Sequence, residues 1–516
     1  MVKRWSTVRL TLAAVLVWAG GMTGCGADVR VEGAALVPLP ASVVPAAEGE
    51  DFTLEPAVVI TAPGEAAGVA EHLALAVQEA TGQRPQAGPD GAIRLALTPG
   101  AGAEGYELVV GPDGVDLRAE TTAGLFYGVQ TLRQLLPQAR DGGPSRMAGV
   151  RITDRPRFAW RGAMLDVARH FRPVADVKRY LDLMAAYKLN VLHLHLTDDQ
   201  GWRLAIAGRP ELTRIGGSTQ VGGGPGGFYT ADDYRELVKY ASDRFIDIVP
   251  EIDMPGHTNA ALASYAELNC DGRAREPYTG IEVGFSTLCV GSAATDRFVS
   301  DVIAEVARLT PGDYVHIGGD EVRELSEADY TRFVERAQEL VVRAGKRMVA
   351  WQEVGKARLA PGSVVQYWQT REEPDDVVNA VRQGAKVVLS PASRVYLDMK
   401  YDSDSRVGQQ WAGLVEVEDS YDWDPAALLP GVGEAAVLGV EAPLWTETVT
   451  NIDDLEYLAF PRLPAVAEVA WTPQKSRDFE VFASRLAGHA EMWRRWGVDF
   501  HESPQIPWGT TDPLTR

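Results

Sequence analysis

The sequence predicts an α/β protein in which a small α+β domain precedes a (β/α)8 TIM barrel. After about residue 158, eight short apolar segments alternate with amphipathic helical patterns, as in a parallel barrel. Before residue 150, short strand patterns accompany two helical stretches, which is typical of a smaller α+β unit. Polar and aromatic side chains also follow nearly every barrel strand, at the end where barrel enzymes carry their chemistry.

The hydrophobic periodicity divides each region into elements. The small domain is expected to span residues 36–150, with strands at 57–61, 93–97 and 106–110 and helices at 66–81 and 124–136. The barrel, with a C-terminal tail, is expected to span residues 151–516. Its strands are predicted at residues 161–166, 191–196, 246–251, 314–317, 347–350, 364–367, 386–389 and 436–440. Helices with apolar residues at three- and four-residue spacing are predicted at residues 174–188, 231–243, 296–309 and 329–344.

The first residues have the pattern of an export signal. Three basic side chains precede an apolar run at residues 10–19, and Met22-Thr-Gly-Cys25 resembles a bacterial lipoprotein cleavage box. We therefore expect a signal peptide at residues 1–24, a leash at residues 25–35 and a lipid on Cys25. Ordinary secretion with cleavage nearby is the alternative, because the box lacks a Leu at its first position. Either way the protein is expected to be extracytoplasmic, secreted or anchored to the outer face of the cell membrane.

The net charge limits the classes of partner that the protein can bind, and the cysteine content bears on the redox compartment in which it works. A net charge of −21 over 516 residues disfavours a nucleic-acid partner, because phosphate backbones require basic surfaces. Besides Cys25 the chain contains only Cys270 and Cys289. In an oxidising compartment these two are a candidate disulfide, and two inert free thiols are the alternative.

The stretch His316-Ile-Gly-Gly-Asp-Glu-Val-Arg323 is the most informative part of the chain. A short strand pattern ends here in two glycines, which allow close approach of backbone or ligand, and two adjacent carboxylates follow, Asp320 and Glu321. At the C-terminal end of a barrel strand, such a pair indicates chemistry. The alternative is a solvated turn in which one of the acids caps a helix that begins near Ser326.

The other predicted strand ends favour a sugar-binding active site. They carry Arg169 and His170, His193, His195, Asp198 and Asp199, Glu251, Asp253 and His257, Trp351 and Glu353, Trp368, and Trp445 with Glu447; Trp411 lies in a later loop. Indole rings stack on the apolar faces of pyranose rings, and carboxylates accept hydrogen bonds from sugar hydroxyls. Any one of these Trp residues could belong to the core, but four of them near acids at strand ends indicate a carbohydrate site.

These motifs resemble those of glycoside hydrolase family 20, the β-N-acetylhexosaminidases. His316-Ile-Gly-Gly-Asp-Glu321 is similar to the catalytic motif of that family. Further similar motifs lie at residues 124–136, 161–171, 192–202, 250–257, 396–401 and 441–447. The likeness extends over nearly the whole chain after the export signal, and it implies an accessory domain followed by a catalytic barrel.

The resemblance also implies substrate-assisted retaining hydrolysis, an exception to the usual two-carboxylate scheme. Glu321 would be the general acid and then the general base, with a pKa held high enough to carry a proton. Asp320 would orient the 2-acetamido group of the substrate while the acetamido oxygen attacks C1 to form an oxazolinium, and Tyr396 would donate to that oxygen. Asp198 and His257 would form a pair coupled to Glu321 that tunes its proton affinity. A buried pair that only stabilises the fold is the alternative.

Substrate-binding roles are implied in the same way. Arg169, Asp398 and Glu447 would hold the hydroxyls of the non-reducing-end sugar, which favours an exo-acting pocket. The aromatic walls would be Trp351, Trp368 and Trp445, with Trp411 on the leaving-group side. The expected substrates are oligosaccharides or glycoconjugates that end in N-acetylglucosamine or N-acetylgalactosamine, and the implied chemistry requires neither a metal nor an organic cofactor.

Two other classes of protein share part of this pattern. His193-Leu-His195 is similar to the metal-binding pair of barrel amidohydrolases, but that site needs His and Lys ligands on later strands, which this sequence does not place there. A non-catalytic surface carbohydrate-binding protein would keep the Trp residues and the lipid anchor. It would not require adjacent Asp320 and Glu321.

Overall fold

A computed structural model describes residues 35–137, 144–371 and 374–509 of the chain. The predicted signal peptide, Cys25 and nearly all of the leash lie outside these residues. The described chain forms a seven-stranded sheet with a small two-stranded sheet, followed by a closed barrel of eight strands. Over the same residues, every helix is too short or too polar to cross a membrane.

The first domain is built on a mixed sheet. In chain order its strands are β1 (Ser42–Pro45), β2 (Phe52–Leu54), β3 (Val59–Thr61), β4 (Gln86–Ala87), β5 (Ile93–Leu97), β6 (Tyr106–Gly111), β7 (Gly114–Ala119), β8 (Ser145–Met147) and β9 (Val150–Asp154). The large sheet has the order β1-β9-β6-β7-β5-β3-β4, and β2 pairs with β8. Helices α1 (Ala67–Thr81) and α2 (Thr122–Leu135) pack against each other, with α2 also against β6 and β7. Because all of β9 pairs with β6, the domain ends after Asp154, and the expected boundary at residue 150 is a few residues early.

The second domain is the predicted TIM barrel. Its strands are β10 (Trp160–Asp166), β11 (Val191–His195), β12 (Asp247–Glu251), β13 (Tyr314–His316), β14 (Arg347–Trp351), β15 (Val364–Tyr367), β16 (Lys386–Leu389) and β17 (Val437–Leu444). Each strand is parallel to the next, and β17 closes the barrel on β10. All eight predicted strands overlap an observed one. The last strand runs to Leu444 instead of the predicted residue 440, so Trp445 and Glu447 follow its end directly.

Helices surround the barrel and close its ends. They are α3 (Val174–Ala186), α4 (Glu211–Arg214), α5 (Ala231–Ser242), α6 (Asn259–Ser264), α7 (Ala293–Leu309), α8 (Glu327–Arg343), α9 (Asp375–Arg382), α10 (Ala392–Val395), α11 (Val417–Tyr421), α12 (Ile452–Ala459), α13 (Arg462–Trp471), α14 (Phe479–Ala487) and α15 (Ala490–Trp496). The start of α8 matters for the site, because Ser326 caps it by accepting from the Asp329 backbone N–H at 3.1 Å. The acids at residues 320 and 321 therefore do not cap this helix.

A buried polar cluster ties the two domains together. The ammonium of Lys188, after α3, donates to Tyr106 Oη at 3.0 Å and to Asp154 Oδ2 at 3.1 Å, both in the first domain. The indole N–H of Trp471, at the end of α13, donates to the same carboxylate at 3.0 Å. Because a buried charge is tolerated only when it is paired, this contact fixes the first domain against the barrel wall.

Candidate active site

The acid pair lies on a tight loop directly after β13. Gly318 and Gly319 have φ of 70° and 99°, which L side chains rarely adopt. A Cβ on Gly318 would lie 1.7 Å from Asp253 Oδ1, so only glycine fits there. Asp253 in turn accepts from the Gly319 backbone N–H at 3.1 Å and supports the loop from below. Glu321 itself has φ of 51°, and such strain in a non-glycine residue is typical of functional sites.

His257 joins the two carboxylates. Its Nε2 lies 3.6 Å from Asp320 Oδ2 and 3.6 Å from Glu321 Oε2, while its Nδ1 lies 3.2 Å from Asp198 Oδ1. Burial alone lowers the pKa of His257, but the charges of Asp198, Asp320 and Asp253 outweigh it and raise the pKa well above its ordinary value. The predicted pair of Asp198 and His257 therefore does reach Glu321, as an imidazolium backed by a carboxylate.

The pKa values of Asp320 and Glu321 are shifted in opposite directions. Asp320 is only 8% exposed, and burial raises its pKa to about 6. Burial also acts to raise the pKa of Glu321, but the close contact and charge of His257, with the charges of Arg323 and Arg169, outweigh it and lower the pKa. The resemblance implies a pKa high enough for Glu321 to carry a proton, and the structure gives the opposite direction. The physical reason is the cation on either side of this carboxylate.

Arg169, which follows β10, is held in place by acids and an indole. Its Nη2 forms an ion pair with Asp198 Oδ2 at 2.8 Å, and its guanidinium lies 4.7 Å from the ring centroid of Trp445. Burial alone lowers the pKa of Arg169, but the charges of Asp198, Asp166 and Glu447 raise it above its ordinary value. A fixed guanidinium of this kind is suited to bind ligand oxygens.

Several buried polar atoms of the site lack a partner among the described residues. They are both carboxylate oxygens of Asp398, Glu447 Oε2, Asp320 Oδ1, Arg169 Nε and His257 Nε2. Buried polar atoms in proteins are nearly always hydrogen-bonded, so a cluster of unpartnered ones indicates a place for a polar ligand. Burial and the charge of Glu447 raise the pKa of Asp398 well above its ordinary value. This is expected for a buried carboxyl group whose oxygens accept no hydrogen bond from the described residues.

The aromatic residues expected to wall the pocket lie close to one another in the structure. Trp351 and Trp445 have ring centroids 5.9 Å apart, and Tyr396 lies 6.5 Å from Trp445. Trp411 lies 5.7 Å from Tyr396 and 5.9 Å from Trp368. Trp411 is 38% exposed whereas Trp351 is 1% exposed, so the aromatic wall runs from the barrel interior to its open mouth.

Glu251 is a structural centre of the site that the sequence reasoning did not assign a role. Its Oε1 accepts from Trp351 Nε1 at 2.9 Å and lies 3.0 Å from His316 Nδ1, while its Oε2 contacts both His193 and His195. These partners come from three other strands, β11, β13 and β14, so a single sequence offers no signal for the cluster. The Glu251 carboxylate therefore fixes the position of the Trp351 ring and of the three histidines around it.

Glu353 and Asp253 are two further acids that sequence reasoning placed at strand ends without a role. Burial and the charge of Asp320 raise the pKa of Glu353 to about 8, and its carboxyl group accepts from Trp368 Nε1 at 3.2 Å. Burial and Asp320 also raise the pKa of Asp253 well above its ordinary value. Both pKa values are therefore shifted upward by burial and by the neighbouring Asp320 carboxylate, so the three acids are electrostatically coupled.

Two predicted strand-end residues serve as supports outside the pocket. His170 Nδ1 lies 2.6 Å from the Thr446 carbonyl oxygen, and Asp199 accepts from the Asn259 backbone N–H at 2.9 Å. The structure also contains a disulfide between Cys270 and Cys289, in the loop before α7.

Among the residues that the structure describes, four groups of acids and histidines are close enough to share an ion. They are His193 with Glu251 and His316, His195 with Glu251 and Asp253, Asp198 with Asp253 and His257, and His257 with Asp320 and Glu321. In the first group, His193 already contacts Glu441 at 2.8 Å and Glu251 at 2.9 Å through its two nitrogens. Burial alone lowers its pKa, but these acids raise it to about 9. A protonated ring has no lone pair for a metal, so the geometry of His193 fits an ion-pair network.

The fold and the site together define a barrel glycoside hydrolase, with an acid pair at a strand end and an aromatic-walled polar pocket. Residues 158–330 and 325–474 match the model of the glycosyl hydrolase family 20 catalytic domain, and residues 34–155 match that of the family's domain 2. The β-N-acetylhexosaminidase of Cellulomonas fimi is 49% identical over 425 residues, 82% of this chain and 86% of the relative. The chain belongs to glycosyl hydrolase family 20, the β-N-acetylhexosaminidase family.

Solved structures agree with this assignment. The Streptomyces plicatus N-acetyl-β-hexosaminidase in complex with Thio-NAglucal has a TM-score of 0.90 at 52% identity, over 92% of this chain and 98% of that chain. A mutant of the Streptomyces plicatus enzyme in complex with the product GlcNAc has a TM-score of 0.89 at 52% identity, with the same coverage. At this level of identity the likeness covers both the accessory domain and the barrel.

Proposed function

We propose that this family 20 enzyme is an exo-acting β-N-acetylhexosaminidase that uses the acetamido group of its substrate as the nucleophile. It would remove terminal non-reducing N-acetylglucosamine or N-acetylgalactosamine from oligosaccharides or glycoconjugates, with retention of configuration. The names of the similar proteins and the product GlcNAc in the related Streptomyces plicatus structure support this substrate class.

The observation that carries the mechanism is the placement of both carboxylates on one side of the pocket. Asp320 and Glu321 each lie 3.6 Å from the same nitrogen of His257, and one oxygen of each lies within 4.8 Å of the other. An inverting pair stands about 6.5–9.5 Å apart to admit water, so this pair is too close for that scheme. A retaining acid and nucleophile stand about 5–5.5 Å apart and flank the scissile bond, an arrangement that two consecutive residues of one tight loop are poorly placed to make. Adjacent acids on one loop suit a nucleophile that the substrate supplies.

In the first step, the acetamido oxygen attacks C1 while Glu321 gives its proton to the glycosidic oxygen, and the leaving group departs. The product of this step is an oxazolinium ion. The Asp320 carboxylate accepts from the acetamido N–H and stabilises the charge that develops on nitrogen, while the Tyr396 hydroxyl donates to the acetamido oxygen. In the second step, Glu321 removes a proton from water as the water attacks C1, which restores the acetamido group and the configuration.

The reaction needs a proton on Glu321 and none on Asp320, which is the reverse of their order in the unliganded site. Burial raises the pKa of Asp320 to about 6, whereas His257 and Arg323 keep the pKa of Glu321 low. A bound acetamido N–H would donate to Asp320 and favour its ionised form. The sugar would also displace water from Glu321 and favour its protonated form. Substrate binding itself would thus establish the working protonation state.

The pocket chemistry supports removal of a terminal sugar. Asp398 and Glu447 have unpartnered buried oxygens, and Arg169 has an unpartnered Nε, all suited to the hydroxyls of one pyranose ring. The Trp351 and Trp445 rings would cover its apolar face. Polar groups that hold the hydroxyls of a single ring would favour a terminal sugar, which is the character of an exo-acting enzyme.

Two substrates that differ only at C2 test the proposed function. Wild type should cleave 4-nitrophenyl N-acetyl-β-glucosaminide rapidly and the 4-nitrophenyl β-glucoside barely, and Asp320→Asn should lose most of the activity on the N-acetyl substrate. Equal cleavage of both substrates would indicate an ordinary two-carboxylate glycosidase. Binding without cleavage of either would indicate a non-catalytic carbohydrate-binding protein.

We also propose that the enzyme works outside the cytoplasm, anchored to the membrane through a lipid on Cys25. The export-signal pattern supports this location, and the disulfide between Cys270 and Cys289 suits an oxidising compartment. Labelling cells with a fatty-acid analogue tests the anchor: wild type should take up the label and Cys25→Ser should not. A wild type that takes up no label would contradict the lipid anchor and indicate ordinary secretion.

A further inference from the structure

Arg323 stands at the mouth of the pocket beside the proposed general acid. Its Nη2 donates to Glu321 Oε1 at 3.2 Å, yet its side chain is 65% exposed, whereas that of Glu321 is 22% exposed. The guanidinium therefore continues outward from the acid toward solvent. Since Glu321 faces the glycosidic oxygen, the space beyond it belongs to the leaving group.

A glycine and an aromatic pair shape the surface along Arg323. Gly284 has φ of 77°, and a Cβ placed on it would lie 3.1 Å from Arg323 Cδ, so the aliphatic stem packs against bare backbone. On the same loop, Tyr278 and Phe285 have ring centroids 4.7 Å apart, and Phe285 is 40% exposed. The Tyr278 hydroxyl accepts from the Glu282 backbone N–H at 2.9 Å, which holds this loop in its turn. The loop therefore carries an exposed aromatic ring, Phe285, on the residue that follows the glycine on which Arg323 packs.

The ion pair of Arg323 conflicts with the working state of Glu321. As general acid, Glu321 must be protonated, and it then no longer neutralises the guanidinium. In the part of the chain that the structure describes, Glu321 is the only carboxylate within ion-pair distance of Arg323. An anion on the leaving group would take the place of the Glu321 carboxylate at the moment when Glu321 carries the proton.

We propose that Arg323 and the Tyr278–Phe285 pair form a leaving-group subsite for an acidic sugar, one whose pyranose ring bears a carboxylate or a sulfate. The aromatic rings contact the apolar face of the ring, and the guanidinium binds the anionic group. This inference rests on the proposed function, since it assigns a preference among leaving groups of the same reaction. It adds a cationic subsite at the mouth of a protein whose net charge is −21.

A matched set of disaccharides tests the subsite. In the three disaccharides, N-acetylglucosamine is β-1,4-linked to glucose, to glucuronate or to glucose 6-sulfate. For each one, kcat/KM is measured from the N-acetylglucosamine released. Wild type should prefer an anionic disaccharide over the neutral one by about fivefold, the size expected for one partly exposed charge pair. Arg323→Gln should bring this ratio close to one, and Arg323→Lys should keep most of it. Which anionic disaccharide is preferred assigns the carboxylate or the sulfate as the natural group.

Arg347→Gln is the control, because Arg347 is also exposed and paired with an acid, Asp313, but lies at the opposite end of the barrel. It should leave the ratio as in wild type. The subsite proposal is overturned if wild type shows no preference for either anionic disaccharide, or if Arg323→Gln lowers all three rates equally, which would make Arg323 only a positioning residue for Glu321. A wild type that cleaves none of the disaccharides and no 4-nitrophenyl substrate would instead overturn the proposed function, and this inference with it.

Discussion

Replacing Gly318 by Ala should disable the site while leaving the fold largely intact. The added Cβ would lie 1.7 Å from Asp253 Oδ1, 2.3 Å from its Cγ and 2.7 Å from its Cα, so both side chain and backbone must shift. To reach an ordinary contact, Asp253 must retreat by more than an ångström, and its hydrogen bond to the Gly319 backbone would be lost. The loop that carries Asp320 would then move as well.

The expected magnitude has two parts. Alanine at φ of 70° costs about 1 kcal/mol of stability through backbone strain. A misplacement of about 1 Å in catalytic groups lowers the rate on the order of 100-fold. We therefore expect Gly318→Ala to lose at least about 100-fold in kcat/KM on 4-nitrophenyl N-acetyl-β-glucosaminide. Its free energy of unfolding should fall by more than the strain alone, because the overlap adds to it.

Gly345→Ala separates the two parts. Gly345 has φ of 78°, close to that of Gly318, but a Cβ there would meet nothing within 4 Å, and it precedes β14 at the far end of the barrel. This variant should lose about 1 kcal/mol in urea unfolding and keep its kcat/KM. The reasoning is refuted if Gly318→Ala stays folded and retains activity within a few fold of Gly345→Ala.

Three further changes have defined outcomes. Glu321→Gln should abolish turnover of substrates with poor leaving groups and keep sugar binding, measured by calorimetry; full activity would remove Glu321 from its role. Arg323→Gln removes one of the cations, with His257 and Arg169, that lower the pKa of Glu321, so the alkaline limb of the kcat profile, which reports the enzyme–substrate complex, should move to higher pH; an unmoved or lowered limb would contradict the assignment. Cys270→Ser with Cys289→Ser should cost about 3 kcal/mol in urea unfolding, because the bond closes a loop of 19 residues; a loss below about 1 kcal/mol would show that it contributes little.

The barrel could be predicted because its strands are short, mostly buried segments rich in apolar residues. Segments such as Val364–Tyr367 are buried throughout, and parallel strands of this kind read as continuous apolar runs. The first domain was harder. β4 has only two residues, too few for a pattern, and it pairs with β3, more than 20 residues earlier in the chain. β7, Gly114–Ala119, is absent from the predicted elements although Val115 and Leu117 alternate with the charged Asp116 and Arg118, which is a pattern of a half-buried strand.

The site residues could be named from motifs, but their protonation could not. Asp320 and Glu321 are adjacent in sequence, yet one is raised to a pKa of about 6 and the other is lowered, because burial dominates at Asp320 and cations dominate at Glu321. These neighbours, His257 and Arg169, come from other strands. The Glu251 cluster was missed for the same reason, since it exists only once the barrel closes.

The central claim is that the acetamido oxygen of the substrate attacks C1, and a series of N-acyl substrates tests it most directly. The 4-nitrophenyl β-glucosaminides with N-acetyl, N-fluoroacetyl, N-difluoroacetyl and N-trifluoroacetyl groups differ in how nucleophilic their carbonyl oxygen is. The account predicts that kcat/KM falls steeply with each added fluorine in wild type, and much less in Asp320→Asn. A rate that is independent of fluorine content in wild type would contradict it and would make an enzyme carboxylate the nucleophile.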